Sequence, residues 1–323
     1  MLITIAILIA GLLLVVFGAD FLVDGASSIA RKFHVSEFVI GLTIVGFGTS
    51  CPELVVSLTG AIGGHSDISA GNVVGSNIFN TLLILGLTAL IMPIGITREN
   101  RRRDIPVTLF VTILFAVCGM SKTLFAIGEY DGLSRIEGIV FLLLFIVYMY
   151  SCFKNDKDSQ EKSQQDSDSP AGRSIGAAIL LTLGGLAGLV LGGHWFVDSA
   201  VKIASALGVS DKFIAITLLA GGTSLPELAT CVVAAAKKKG QLALGNILGS
   251  NIFNILLILG CASVITPLHF SGINLVDIIA ILTSMVLLTL ASYTFEKNKI
   301  DRFEGAVFLA AFIAYYVWLF VNL

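Results

Sequence analysis

The segment GTSCPEL at 48–54 returns as GTSLPEL at 222–228, and GNVVGSNIFNTLLILG at 71–86 returns as GNILGSNIFNILLILG at 245–260, both displaced by 174 residues. The longer pair is identical except at 73, 74 and 81. Fainter echoes extend the match: FLVDGASSIA answers WFVDSAVKIA, and SRIEGIVFL answers DRFEGAVFL. Two such coincidences at one offset do not arise by chance. The chain must therefore fold as two copies of one unit.

The medium in which it folds follows from its charge. Only 13% of the 323 residues are charged and 56% are hydrophobic, against roughly 25% charged in a soluble protein. Apolar runs reach the roughly 20 residues needed to cross a hydrocarbon core about 30 Å thick. Runs bounded by charge or turn residues give ten expected spans, near 2–27, 37–63, 68–94, 105–121, 133–152, 174–200, 211–236, 242–267, 273–293 and 303–321. The first has no basic residue before it and reads as a retained helix rather than a signal peptide. The stretch KNDKDSQEKSQQDSDSP is polar and Ser-rich and reads as a linker. The expectation is an all-α membrane protein of ten transmembrane helices, with repeats at 1–151 and 174–323 and a cytoplasmic linker at 152–173.

Five spans per half is an odd number, so the second copy enters the bilayer from the opposite side. Of 20 lysines and arginines, all but Lys122, Arg135, Lys202 and Lys212 fall on the linker side. The positive-inside rule makes that side cytoplasmic and sends both termini outward, in a plasma membrane. A net charge of −2 says nothing about partners.

Glu53 and Glu227 sit mid-span. A charge there costs about 2.5–3.5 kcal/mol even on the lenient insertion scale. No basic residue occupies the centre of any span, so neither can be explained as half of a buried ion pair. Each follows a proline, which removes the helical hydrogen bond to the carbonyl of Gly48 or Gly222. A helix broken at mid-membrane is tolerated where it lines a cavity or binds an ion. The same break with the same Glu in both halves argues against a mere packing kink. Asn72, Ser76 and Asn80 share one helical stripe, as do Asn246, Ser250 and Asn254. Ser76, Asn80, Ser250 and Asn254 are read as ion-site residues. Asn72 and Asn246 stand between that role and interhelical packing, and Asn77 and Asn251 face elsewhere and are structural. The donor set is all oxygen, which suits hard cations; calcium takes 6–8 oxygens.

Other features read more simply. Cys51, Cys118, Cys152, Cys231 and Cys261 show no paired spacing and are expected as unpaired thiols. Gly184, Gly188 and Gly192 form a small-residue face for close helix packing. Asp20, Asp24, His194 and Asp198 are placed near the cytoplasmic ends of the first and sixth spans, Asp166 and Asp168 in the solvated linker, and Lys237, Lys238 and Lys239 in a cytoplasmic loop end.

The paired GTS-x-PE and GN-xx-GSNIFN segments resemble the two alpha-repeats of the sodium/calcium exchangers, within the calcium/cation antiporter superfamily, and the likeness runs over nearly the whole chain. That resemblance implies an antiporter, without a cofactor, for which a single chain suffices and whose expected partners are calcium and sodium ions and the lipid bilayer, with no nucleic acid. It implies Glu53 and Glu227 as central calcium ligands shared with sodium, completed by the backbone oxygens of Thr49 and Thr223. Ser50, Ser76, Ser224 and Ser250 would form flanking sodium sites with the carbonyls of Gly46 and Ala220, and Asn80 and Asn254 would close the middle. Some relatives carry aspartate where this chain has Asn254. Asn at both positions leaves two carboxylates rather than three, which argues against potassium co-transport. The linker is too short for the calcium-sensing domains of animal exchangers.

A calcium/proton antiporter on the same fold is the alternative, because glutamates also carry protons. A channel usually gains its symmetry from subunits around a pore. An intramembrane enzyme lacks its machinery: His34, His65, His194 and His269 lie near span ends, and no HExxH occurs. Two ionised glutamates are neutralised by one calcium or two sodium ions. The extra hydroxyls and carbonyls offer room for a third sodium, so the exchange is expected to be electrogenic.

Overall fold

The computed structural model describes residues 2–128, 130–161, 174–208, 220–294 and 298–322. The expected linker beyond Glu161, with Asp166 and Asp168, lies outside them, as does 211–219 of the expected seventh span, with Lys212. From the N-terminus the helices are α1 (Leu2–Phe33), α2 (Glu37–Thr49), α3 (Cys51–Ile62), α4 (Ser66–Ile91), α5 (Ile105–Gly119), α6 (Arg135–Glu161), α7 (Ile175–Ala206), α8 (Leu225–Ala236), α9 (Gly240–Ile265), α10 (Leu275–Ala291) and α11 (Arg302–Asn322). Among the described residues, α1, α4, α6, α7, α9 and α11 carry apolar stretches long enough to cross a bilayer. The pair α2–α3 makes a seventh, bent by 47°. Shorter helices α5, α8 and α10 stand at the fourth, seventh and ninth expected spans.

Helix ends depart from the expected boundaries where a polar stretch follows an apolar one. α6 continues to Glu161, well into the segment read as linker. Its KNDKDSQE stretch contains no Gly or Pro, and charge outside the bilayer does not end a helix. α1 likewise continues to Phe33 and stops where His34 turns left-handed, at φ 51°.

The inversion is visible where α1 meets α7. A Cβ added at Gly11 would sit 2.8 Å from the Gly192 carbonyl oxygen, one at Gly18 2.9 Å from that of Gly185, and one at Gly25 2.8 Å from that of Ala178. The contacts advance along α1 and retreat along α7, so two helices that are copies of one sequence run antiparallel. The seam uses Gly185, Gly188 and Gly192, whereas Gly184 has open space beside it. A strict spacing of four drifts off a near-parallel contact, which needs an average of 3.5.

The same geometry corrects one placement. Asp20 and Asp24 lie toward the linker end of α1, but His194 and Asp198 lie at the opposite end of the bundle, beside the N-terminal part of α1. The two faces are called below the linker face and the far face.

Each face carries one two-residue ribbon. β1 (Ile94–Gly95), after α4, pairs with β4 (Lys299–Ile300), before α11. β2 (Gly132–Leu133), before α6, pairs with β3 (Leu268–His269), after α9. Each ribbon takes one strand from each repeat. At the centre α4 and α9 cross, and α9 is buried without interruption from Leu242 to Ile252.

Candidate ion-binding site

The two prolines place the two carboxylates. Between α2 and α3 the chain leaves helical geometry at Ser50 (φ −82°, ψ 5°), and before α8 at Ser224 (φ −87°, ψ 7°). Pro52 and Pro226 then fall in the first turn of the next helix, where a missing N–H costs nothing. Glu53 and Glu227 follow in that same turn, beside the positive end of the helix dipole. Each is 1% exposed. Neither has an ion-pair partner among the described residues.

The hydroxyls reach across the repeats. Ser50 Oγ donates to Glu227 Oε1 at 3.1 Å, and Ser224 Oγ donates to Glu53 Oε1 at 3.1 Å. Within each repeat Ser76 approaches Glu53 Oε1 and Ser250 approaches Glu227 Oε1, both at 3.5 Å. Ser250 Oγ also lies 3.5 Å from the Gly46 carbonyl. Of the residues singled out in the sequence, these four serines, both glutamates and Gly46 therefore meet in one place. Ala220 opens the short helical turn Ala220–Gly222 that precedes the second break.

Asn72 and Asn246 resolve as clamps on the threonines. Thr49 Oγ1 lies 3.1 Å from Asn246 Oδ1, and Thr223 Oγ1 lies 3.4 Å from Asn72 Oδ1. The Asn72 amide nitrogen holds the Glu53 carbonyl at 3.3 Å and Ser57 Oγ at 3.1 Å, while Asn246 holds Cys231 Sγ at 3.3 Å.

Asn80 and Asn254 sit in π-helical stretches, Phe79–Ile84 and Phe253–Leu259, which widen α4 and α9 at corresponding points; such bulges recur at functional sites. Asn80 Nδ2 donates to Asn251 Oδ1 at 3.3 Å, and Asn254 Nδ2 donates to Asn77 Oδ1 at 2.9 Å. Asn77 and Asn251 thus spend their own oxygens fixing the other two amides. The result is four buried acceptor oxygens with no protein donor: Glu53 Oε2, Glu227 Oε2, Asn80 Oδ1 and Asn254 Oδ1. Buried polar atoms are normally satisfied. Four acceptors left over in symmetry-related pairs are chemically suited to a desolvated cation.

A cavity of about 740 Å³ opens between α3, the start of α4 and α7, reaching Cys51, Pro52, Asn72, His194, Thr223 and Pro226 from the far face. Among the described residues, nothing lies within 4 Å of a Cβ added at Gly71 or Gly75. Gly245 and Gly249 are covered, with an added Cβ only 2.2 Å from the Phe38 carbonyl oxygen and 2.4 Å from that of Leu42; residues 212 and 216, which correspond to Phe38 and Leu42 in the second repeat, lie outside the described residues.

Two inverted helical repeats enclosing an oxygen-lined pocket between broken helices define a secondary cation transporter. The chain belongs to the sodium/calcium exchanger family: the family model described as sodium/calcium exchanger protein matches residues 3–154 and 177–321. It is similar to the putative antiporter CaxA of Alkalimonas amylolytica, at 38% identity over 99% of both chains. It is also similar to the sodium/calcium exchanger MaX1 of Methanosarcina acetivorans, at 35% identity over 97% of both. Among solved structures, the sodium-calcium exchanger NCX_Mj superposes with a TM-score of 0.83 at 37% identity, covering 98% of each chain. The protein is thus an antiporter of exchanger type and a membrane transporter, not an enzyme.

Proposed function

We propose that the protein exchanges sodium for calcium by alternating access, with Glu53 and Glu227 as the shared central ligands. The observation that carries this reading is the set of four donor-less oxygens on Glu53, Glu227, Asn80 and Asn254. Calcium is held by both carboxylates and by the backbone oxygens of Thr49 and Thr223. Sodium occupies flanking positions made by Ser50, Ser76, Ser224, Ser250 and the carbonyls of Gly46 and Ala220, and Asn80 and Asn254 close the middle. The chain crosses the plasma membrane ten times with both termini outside, and one chain suffices. Exchange is electrogenic, three sodium ions against one calcium, and independent of potassium.

The test is calcium uptake into proteoliposomes loaded with sodium and diluted into sodium-free buffer, with choline-loaded vesicles and an imposed pH gradient as the other arms. Uptake is expected only with the sodium gradient. Uptake driven by the pH gradient alone would replace sodium by protons as the counter-ion.

A further inference from the structure

The turn from α8 to α9 reads Lys237-Lys238-Lys239-Gly240, whereas its counterpart from α3 to α4 reads Gly63-Gly64-His65-Ser66. The halves share the Glu, Thr, Ser and Asn side chains of the ion site but part company here. Lys237 Nζ lies 2.7 Å from Asp20 Oδ1 and 2.7 Å from Asp24 Oδ1, and donates to the Asp20 carbonyl at 3.2 Å. Lys239 pairs with Glu37 at the start of α2. One turn therefore grips α1, which packs chiefly on α7, and also α2, whose Phe38 and Leu42 cover Gly245 and Gly249. On the far face the position of Lys237 is Gly63, which has no side chain. His194 and Asp198 stand where Asp20 and Asp24 stand in the first repeat, and Asp198 pairs within its own helix, with Lys202 at 2.6 Å. The cavity opens there, beside His194. Among the described residues, the covered linker face is the one that carries these bonds; residue 211, the counterpart of Glu37, lies outside them.

We propose that Lys237, with Asp20 and Asp24, is a latch that holds the linker face closed and biases the protein toward opening on its far face. The proposal rests on the alternating-access reading above. Partial burial alone would lower the lysine's pKa, but Asp20 and Asp24 more than offset it and hold Lys237 above the ordinary lysine range. An isolated surface pair contributes little; here one ammonium serves two carboxylates and a carbonyl. A two-state equilibrium shifts by as much as a bond present in only one state differs between them. The two ends of the latch lie on different parts of the fold, so opening the linker face breaks it.

The test uses the full chain in proteoliposomes and a membrane-impermeant maleimide, with labelling read site by site by peptide mass spectrometry. Cys51 reports the far-face cavity. Thr230→Cys reports the linker face, because Thr230 is the counterpart of the cavity-lining Val56 and is fully buried in this state. Lys237→Met is expected to slow Cys51 labelling severalfold and to speed Thr230→Cys labelling by a similar factor. Asp20→Asn with Asp24→Asn should reproduce both shifts, and stands in if Lys237→Met does not fold; Lys237→Arg should behave like the parent. If both reporters respond to saturating calcium or sodium in the parent yet are indifferent to both latch variants, the latch is wrong and alternating access stands. If neither reporter responds to ions in the parent, the alternating-access reading falls, and the latch with it.

Discussion

Ser50 of the first repeat donates its hydroxyl to Glu227 of the second at 3.1 Å, and the counterpart serine returns the bond to the counterpart glutamate at the same distance. Neither carboxylate is positioned by its own half alone. The two negative charges are held by an exchange of hydroxyls across the molecular pseudo-twofold axis, and each keeps one oxygen free of any donor.

Glu53→Gln and Glu227→Gln should each abolish sodium-driven calcium uptake while leaving expression and detergent stability near those of the parent. The amide is nearly isosteric but removes half the negative charge of the pocket. Calcium affinity should fall at least about 100-fold, equivalent to about 2.7 kcal/mol. Calorimetric titration of the purified variants reads the affinity, and near-parental flux in either variant would remove the central assignment.

Transport should proceed unchanged when potassium is replaced by choline on both sides. The motivation is amide rather than carboxylate at Asn80 and Asn254. Asn254→Asp is the informative reverse change, since it adds a third carboxylate where the parent has a donor-less oxygen. A strict potassium requirement in the parent would contradict the prediction.

Calcium flux should follow an imposed diffusion potential. One net charge per cycle is worth about 2.3 kcal/mol per 100 mV, so the calcium gradient sustainable at equilibrium should change about 50-fold over that range. Valinomycin-clamped vesicles measure it. A flux indifferent to voltage would mean two sodium ions per calcium.

Gly185→Val should destabilise the protein by about 1–3 kcal/mol, the usual range for an overpacked contact. Its Cβ would meet the Leu22 backbone nitrogen at 2.5 Å, whereas Gly184→Val finds open space. Thermal unfolding in detergent should separate the two variants. Equal midpoints would argue against the antiparallel seam.

The sequence carried the repeat, the carboxylate pair and the broken helices because each is a local signal: a copied string, a charge in an apolar run, a proline. What it could not carry was the partner of each group. The spacing of Asn72, Ser76 and Asn80 puts them on one stripe, yet Asn72 clamps a threonine of the other repeat while Asn80 presents a bare oxygen. Only the crossing of α4 and α9 decides that. A period of four puts Gly184 in the seam where the structure has Gly185, because periods of four and of 3.5 coincide over one turn and then diverge. Asp20 and His194 occupy the same place in the copied string and opposite ends of the bundle. Lys237 looked like an ordinary positive loop residue, since nothing along the chain shows that Asp20 and Asp24 stand beneath it.

The two ribbons bear on how the chain is made. Ile94 finds its partner only in Ile300 and Leu133 only in Leu268, so the first half emerges from the ribosome with both of its strand segments unpaired. Its Glu53 lacks the hydroxyl of Ser224 until the second repeat is under way, and Ile94 lacks its strand partner until almost the whole chain has been synthesised. Because loop closure over such separations is slow, the interval between insertion and assembly is when the chain is most vulnerable. Two halves expressed as separate polypeptides would face the same wait, ended by encounter rather than by translation.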